Sequence, residues 1–186
     1  MSISLKKGTS LNLSKKEPEL KKVLIGLGWE IPKTQIVDLD ASAFMLSTSG
    51  KMPSEAHFVF YNNLKSPDGA IQHTGDNRTG QGDDDDEIIL ANLSLIADTV
   101  VEVLIIASIH EADTRKHHFG LLQNAYIRLL DVETKREILR YDLDQEFGGS
   151  TDVEFGRFRR ENSEWHFVAS GIPSTAGLQG YVDKYL

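Results

Sequence analysis

Cysteine is absent from this 186-residue sequence. That removes structural disulfides, thiolate metal sites and cysteine nucleophiles. Basic charge is scarce as well: 20 Lys and Arg stand against 28 Asp and Glu, for a formal net charge of −8. An acidic chain lacks the basic face that nonspecific binding to nucleic acid or anionic membrane requires, so no direct nucleic-acid contact is expected. Long apolar runs are also missing. Nothing approaches the roughly eighteen residues of a membrane span, and no N-terminal apolar stretch precedes a small-residue cleavage site. No transmembrane segment is therefore expected, and the cytoplasm is the simplest compartment. Gly-x-Ser-x-Gly elbows, P-loops and dinucleotide fingerprints do not occur.

What is present is globular and rich in short strands. Hydrophobic residues make up 40% and charged residues 26%, a balance that supports a packed core and not a disordered chain. Strand-like runs cover Ser2–Leu5, Leu11–Leu13, Lys22–Trp29, Ala43–Thr48, His57–Tyr61, Ile88–Asn92, Val100–Ile109, Ala125–Val132, Glu137–Asp142, Val153–Arg160 and Glu164–Ser170. "VVEVLIIASI" is nearly continuous and β-branched, which predicts a central strand covered on both faces. "VETKRE" and "RRENSEW" read as hairpins, and "SPDG" (Ser66–Gly69) as a turn with Pro67 at its second position. Helical signal is thin: one turn at Leu93–Asp98 with Ser94 as cap, and a terminal helix over Leu178–Leu186. Many strands and few helices predict a mainly β chain folded as a β-sandwich. Trp29, Trp165, Phe58, Phe60 and Phe155 are expected to pack inside it.

The most unusual segment runs from Tyr61 to Leu90. Five acidic residues, Asp83 to Glu87, follow a glycine-rich polar loop and directly precede an apolar strand start. Such a run is usually a solvated loop. Here it abuts a buried strand, its glycines are spaced as turn formers, and a second acidic pair, Asp38 and Asp40, stands two residues apart. In extended chain those two side chains share a side. Two such carboxylates repel unless a cation lies between them or one is protonated. Calcium takes six to eight oxygens from carboxylates, amide carbonyls and main-chain carbonyls. Residues 62–87 hold all three: the carboxylates Asp76 and Asp83 to Glu87, the amides Asn62, Asn63 and Asn77, and bendable backbone at Gly75, Gly80 and Gly82. An EF-hand is excluded, because Arg78, Gly80 and Gln81 occupy its third, fifth and sixth positions and neither flank is helical.

Taken together, "GLGWE", "DLDASAFML", "FYNNLKSPDG", "HTGDNRTGQGDDDDE", "NAYIRLLD", "RYDL" and "EWHF" resemble the TerD-type tellurium-resistance and calcium-binding stress-protein family. The resemblance covers essentially the whole chain and implies a single domain over residues 1–186. It implies a sandwich of two mostly antiparallel sheets with a few short helices and long acidic calcium-binding loops. It implies calcium as the bound ion, no established catalytic activity, and other stress-resistance proteins as partners in an assembly. The implied ligands are Asp38, Asp40, Asn62, Asn63, Asp76, Asn77, Thr79, Gly82, Asp85, Asp86 and Glu87. Asp84 stands where the family usually has Gly, adding a charge and losing a flexible point. Glu111 is implied as a late contributor on a loop.

Two other functions fit parts of the pattern. A calcium-dependent membrane-docking sandwich shares the acidic-loop logic but needs basic or apolar residues at the loop tip, where only Arg78 qualifies. A metal-assisted hydrolase needs an open coordination position and a nucleophile or base. "IHEADTRKHH" resembles a zinc-protease helix only superficially, since position 114 is Thr. The sequence reading is therefore a calcium-binding stress-response protein that acts by binding. Without cysteine, reduction of tellurite by a thiolate of this chain is excluded.

Overall fold

The structure is a computed structural model, and it describes residues 6–16, 20–30, 37–75 and 85–186. Among these, the strands in chain order are β1 (Ser10–Asn12), β2 (Lys22–Glu30), β3 (Leu39–Leu46), β4 (Phe58–Val59), β5 (Ile71–His73) and β6 (Glu87–Asn92). They continue as β7 (Glu102–Ile109), β8 (Gln123–Asp131), β9 (Glu137–Asp142), β10 (Asp152–Glu161), β11 (Glu164–Val168) and β12 (Ile172–Ser174). Four short helices are α1 (Leu13–Lys16), α2 (Ala112–Arg115), α3 (Leu143–Glu146) and α4 (Gly177–Tyr185). One sheet runs β1-β11-β10-β7-β3-β4 with β12 also on β10, and the other runs β5-β6-β2-β8-β9. All pairs named for these strands are antiparallel.

Period-two alternation places the core. On β2, Val23, Ile25, Leu27 and Trp29 point inward and join Ile105 and Ala107 of β7 and Phe155 of β10 in one cluster between the sheets. The outer side of β7 is covered too. Leu104 and Ile106 pack with Phe44, Leu46 and Phe58 beneath Tyr181 and Tyr185 of α4. This double coverage is what the unbroken apolar run predicts, and it explains why the terminal helix is needed: without it the outer face of that sheet would stay wet and apolar.

The turns follow their chemistry. The "RRENSEW" hairpin closes on Asn162 and Ser163, both at positive φ (52° and 66°), with Glu161 opposite Glu164, a two-residue loop whose twist suits the flanking strands. In "SPDG", Gly69 N donates to Ser66 O at 2.9 Å with Gly69 at φ 70°. Three expectations change. Leu93–Asp98 forms turns and not a helix, because Asn92 Oδ1 accepts from both Ser94 N and Ser94 Oγ and competes with helical bonding. The stretch after His110 holds the short α2 and not only loop. β5 and β12, three residues each, were too short to read as strands. The expected strand at Ser2–Leu5 lies outside the described residues.

Candidate metal centre

Four strand ends meet at one end of the sandwich: the end of β2, the starts of β3 and β6, and the end of β7. Register fixes what they present. Glu87 pairs with Leu27 on the inner face of β6, so its side chain enters the core and is fully buried. There Oε2 accepts from Ala41 N at 2.7 Å. β4 covers only Ala43 and Phe44 of β3, which leaves the Ala41 N–H without a strand partner on that edge. Glu87 is thus a strut from one sheet to the other. His73 Nδ1 accepts from Gly75 N at 3.0 Å, so the imidazole turns its Nε2–H toward Glu87 Oε2, 3.4 Å away. Glu87 Oε1 is buried and has no hydrogen-bond partner among the described residues.

The neighbouring carboxylates are held differently. Asp86 Oδ2 accepts from Trp29 N at 3.0 Å, and Asp86 N donates to Leu27 O at 2.8 Å. Burial pushes the Asp86 carboxyl above its ordinary value; the Trp29 N–H works against this and the Asp85 charge adds to it. Asp85 accepts two bonds from Arg128, Nε to Oδ1 at 2.8 Å and Nη2 to Oδ2 at 3.0 Å. Its carboxylate lies over Gly26, where a Cβ would come within 2.2 Å of it. Beside it the Tyr126 ring lies over Gly28. Burial and then the Asp85 charge push the Tyr126 hydroxyl up to about 12. The two glycines of "GLGW" are therefore notches on the outer face of β2, opposite Arg128 and Tyr126 in register.

On the other side of the end, Asp38 O accepts from His110 N at 2.8 Å, and Asp40 Oδ2 lies 3.4 Å from His110 Nδ1. Asp40, His110, Glu111, Asp113 and Tyr61 line a cleft of about 280 Å³ beside the first turn of α4. Glu111 is paired with Arg115 at 2.7 Å. Asn62 is exposed, and Asn63 Nδ2 donates to Phe58 O at 2.6 Å and Ala56 O at 3.2 Å, bracing the turn beside Tyr61. Asp76, Asn77, Thr79 and Gly82 lie outside the described residues. Among the described residues no three His, Asp or Glu side chains form a group that holds a metal by themselves. The bond from Ala41 N to Glu87 brings the starts of β3 and β6 together, but Asp40 opens with His110 into the cleft on the α4 side of its sheet, whereas Glu87 is buried between the sheets. Arg128, His73 and His110 were not singled out in the sequence as members of this end.

The family described as "TerD domain" matches residues 1–185. A protein named tellurium resistance protein TerD from Alcaligenes sp is 44% identical, over 100% of this chain and 97% of its own length. General stress protein 16U of Bacillus subtilis (strain 168) is 39% identical, over 100% and 97%. A solved structure of a homologue of telluride resistance protein (TerD) from Streptomyces coelicolor A3(2) superposes with a TM-score of 0.76 at 22% identity, covering 88% of this chain and 95% of that one. At that identity the likeness concerns the fold.

Proposed function

This chain belongs to the TerD family, and on that premise we propose that it is a calcium-binding protein of tellurium and stress resistance which acts by binding and not by catalysis. Its relatives' names carry the resistance half of this reading. The observation that carries the calcium half is Glu87: a fully buried carboxylate with one oxygen bonded to Ala41 N and the other without a protein partner among the described residues. The only other group the described residues bring to it is the His73 imidazole, 3.4 Å from Oε2, and a buried charge so incompletely compensated asks for a cation. The acidic residues at the neighbouring strand starts offer carboxylate oxygens, the hard donors that suit calcium. Asp38, Asp40, Asp86 and Glu87 would hold the ion, with Asp76, Asn77, Thr79 and Gly82 completing the set and Asn62 and Asn63 at its margin. Bound calcium would supply charge neutralisation and a tie between the two sheets.

Calorimetric titration of chelator-treated protein with calcium and then magnesium tests the reading. Calcium should bind in preference, because a mixed, irregular oxygen shell suits it better than the strict octahedron of magnesium. No heat with calcium, or equal affinity for both ions, refutes it. The wider role, in an assembly with other stress-resistance proteins, is part of the same proposal, and co-purification from tellurite-stressed cells tests it. Among the described residues no helix is long and apolar enough to cross a membrane.

A further inference from the structure

Asp85 and Asp86 are adjacent in the acidic run and yet are held in opposite ways. In a regular strand Asp85 would share a face with Glu87. Instead the chain bends at Asp86, so Asp85 lies on the outer face of β2 and β8 while Glu87 enters the core. Both Asp85 oxygens are taken by one guanidinium, at 2.8 and 3.0 Å, and its side chain is only 5% exposed. The clamp is itself fixed. Arg128 stacks toward Tyr126 at 5.4 Å and has Glu137 at 3.8 Å, while Arg140 covers Tyr126 at 3.9 Å. Only a residue without a side chain at position 26 leaves room for the Asp85 carboxylate.

We infer that Arg128 is a positioning residue: by seating Asp85 over Gly26 it withdraws that carboxylate from the cation and fixes the start of β6, so that Asp86 and Glu87 face the ion. This rests on the calcium reading above. The protein thus neutralises part of its acidic run with its own cation. A planar fork that grips both oxygens is required, and lysine at 128 would keep the charge but not the geometry.

The experiment is calcium titration of the full chain and of the Arg128→Met, Asp85→Asn and Gly26→Ala variants, each paired with urea unfolding in chelator. Gly26→Ala is the sharpest arm. It removes no charge and only forces the carboxylate out of its notch. Each variant should lose calcium affinity about fivefold or more, roughly 1 kcal/mol. Combining Asp85→Asn with Arg128→Met should cost no more than either alone, since both break the same clamp. If Asp85 is instead a ligand that Arg128 restrains, Arg128→Met frees it and affinity rises or holds, which overturns the inference. Additive losses overturn it as well. If Gly26→Ala fails to fold, the other two variants and their double decide the matter. A wild-type chain that takes up no calcium overturns the positioning role along with the calcium reading. Coupling of Asp85 and Arg128 in chelator would then still report the ion pair, which tells that failure from absence of the clamp.

Discussion

Replacing Glu87 by Gln keeps the shape of the strut and removes its charge. Without calcium, three contributions compete. The bond from Ala41 N, 2.7 Å long, changes from charge-assisted to neutral, a loss of about 1 kcal/mol. The new amide NH₂ replaces a buried oxygen that had no partner, which costs about 1–2 kcal/mol unless it finds an acceptor. Against these stands the burial of a full charge at 0% exposure, worth several kcal/mol when uncompensated and less with the His73 imidazole 3.4 Å from Oε2. The sum leaves the calcium-free variant as stable as wild type or about 1 kcal/mol more stable, a rise in Tm of up to about 2–4 °C for a chain of this size. With calcium the order changes. Wild type at a hundredfold excess over Kd gains about 2.7 kcal/mol, whereas a variant bound tenfold more weakly gains only about 1.4 kcal/mol at the same free calcium. The calcium-induced shift should therefore be roughly halved. Urea unfolding in chelator and in calcium measures both numbers. Equal calcium shifts in the two proteins would show that Glu87 lies outside the coordination sphere. A loss above about 2 kcal/mol in chelator would show that its charge is already compensated by the protein.

Two further outcomes follow from carboxylates away from this site. Asp68 ties the "SPDG" turn to the chain before β7, accepting from Ser66 Oγ, Ala70 N and Ala97 N, so Asp68→Ala should cost about 2–3 kcal/mol in urea unfolding, and a cost below about 1 kcal/mol would refute that tie. The pH dependence of calcium-free stability should pass through a maximum on the acid side of neutrality. Asp152 is fully buried beneath the start of α4; burial pushes its carboxyl up, Asp113 adds to this, and the nearby Ser174 hydroxyl and Gly177 and Ala176 N–H groups offset it only in part. Because its folded value is raised, the folded state takes up the proton first, and stability grows as pH falls through that value. Asp68 and Asp131 have the opposite sign. Burial alone would raise them, but their hydrogen bonds hold both below the ordinary range. Their contribution is complete above the unfolded value of about 4 and is lost as pH falls through the depressed folded values. Urea midpoints from pH 8 to pH 3 would test this, and a monotonic fall from neutrality would refute the role given to Asp152.

How much of this was legible depends on whether the signal was local. β9 has the bounds that its residues imply, and β7 is central because eight nearly unbroken apolar positions suit only a strand covered twice. The hairpin at Asn162–Ser163 was likewise written in its own residues. β5 and β12 were not, because three residues give too little alternation to count. At the candidate metal centre, the meeting of the β3 and β6 starts depends on a contact between sheets, Ala41 N to Glu87, which no single window contains. Arg128 lies 43 residues from Asp85, but a trace of the pair was visible. Gly26 and Gly28 stand two apart, as do Tyr126 and Arg128, so each pair shares one face of a strand, and the bare positions of one strand fit the bulky positions of the next. His73 gave no such trace, since a lone histidine in a polar segment resembles any surface residue.

The position of β2 sets a condition on how the chain can be made. This apolar segment is the middle of its sheet, yet its two partners, β6 and β8, are Glu87–Asn92 and Gln123–Asp131. During synthesis at roughly 5–20 residues per second, Lys22–Glu30 leaves the ribosome several seconds before β6 exists and longer still before β8. Both of its edges stay open throughout that interval. Pausing before residue 131 should therefore increase aggregation of the newly made protein, and unchanged yield of soluble chain after such a pause would refute this.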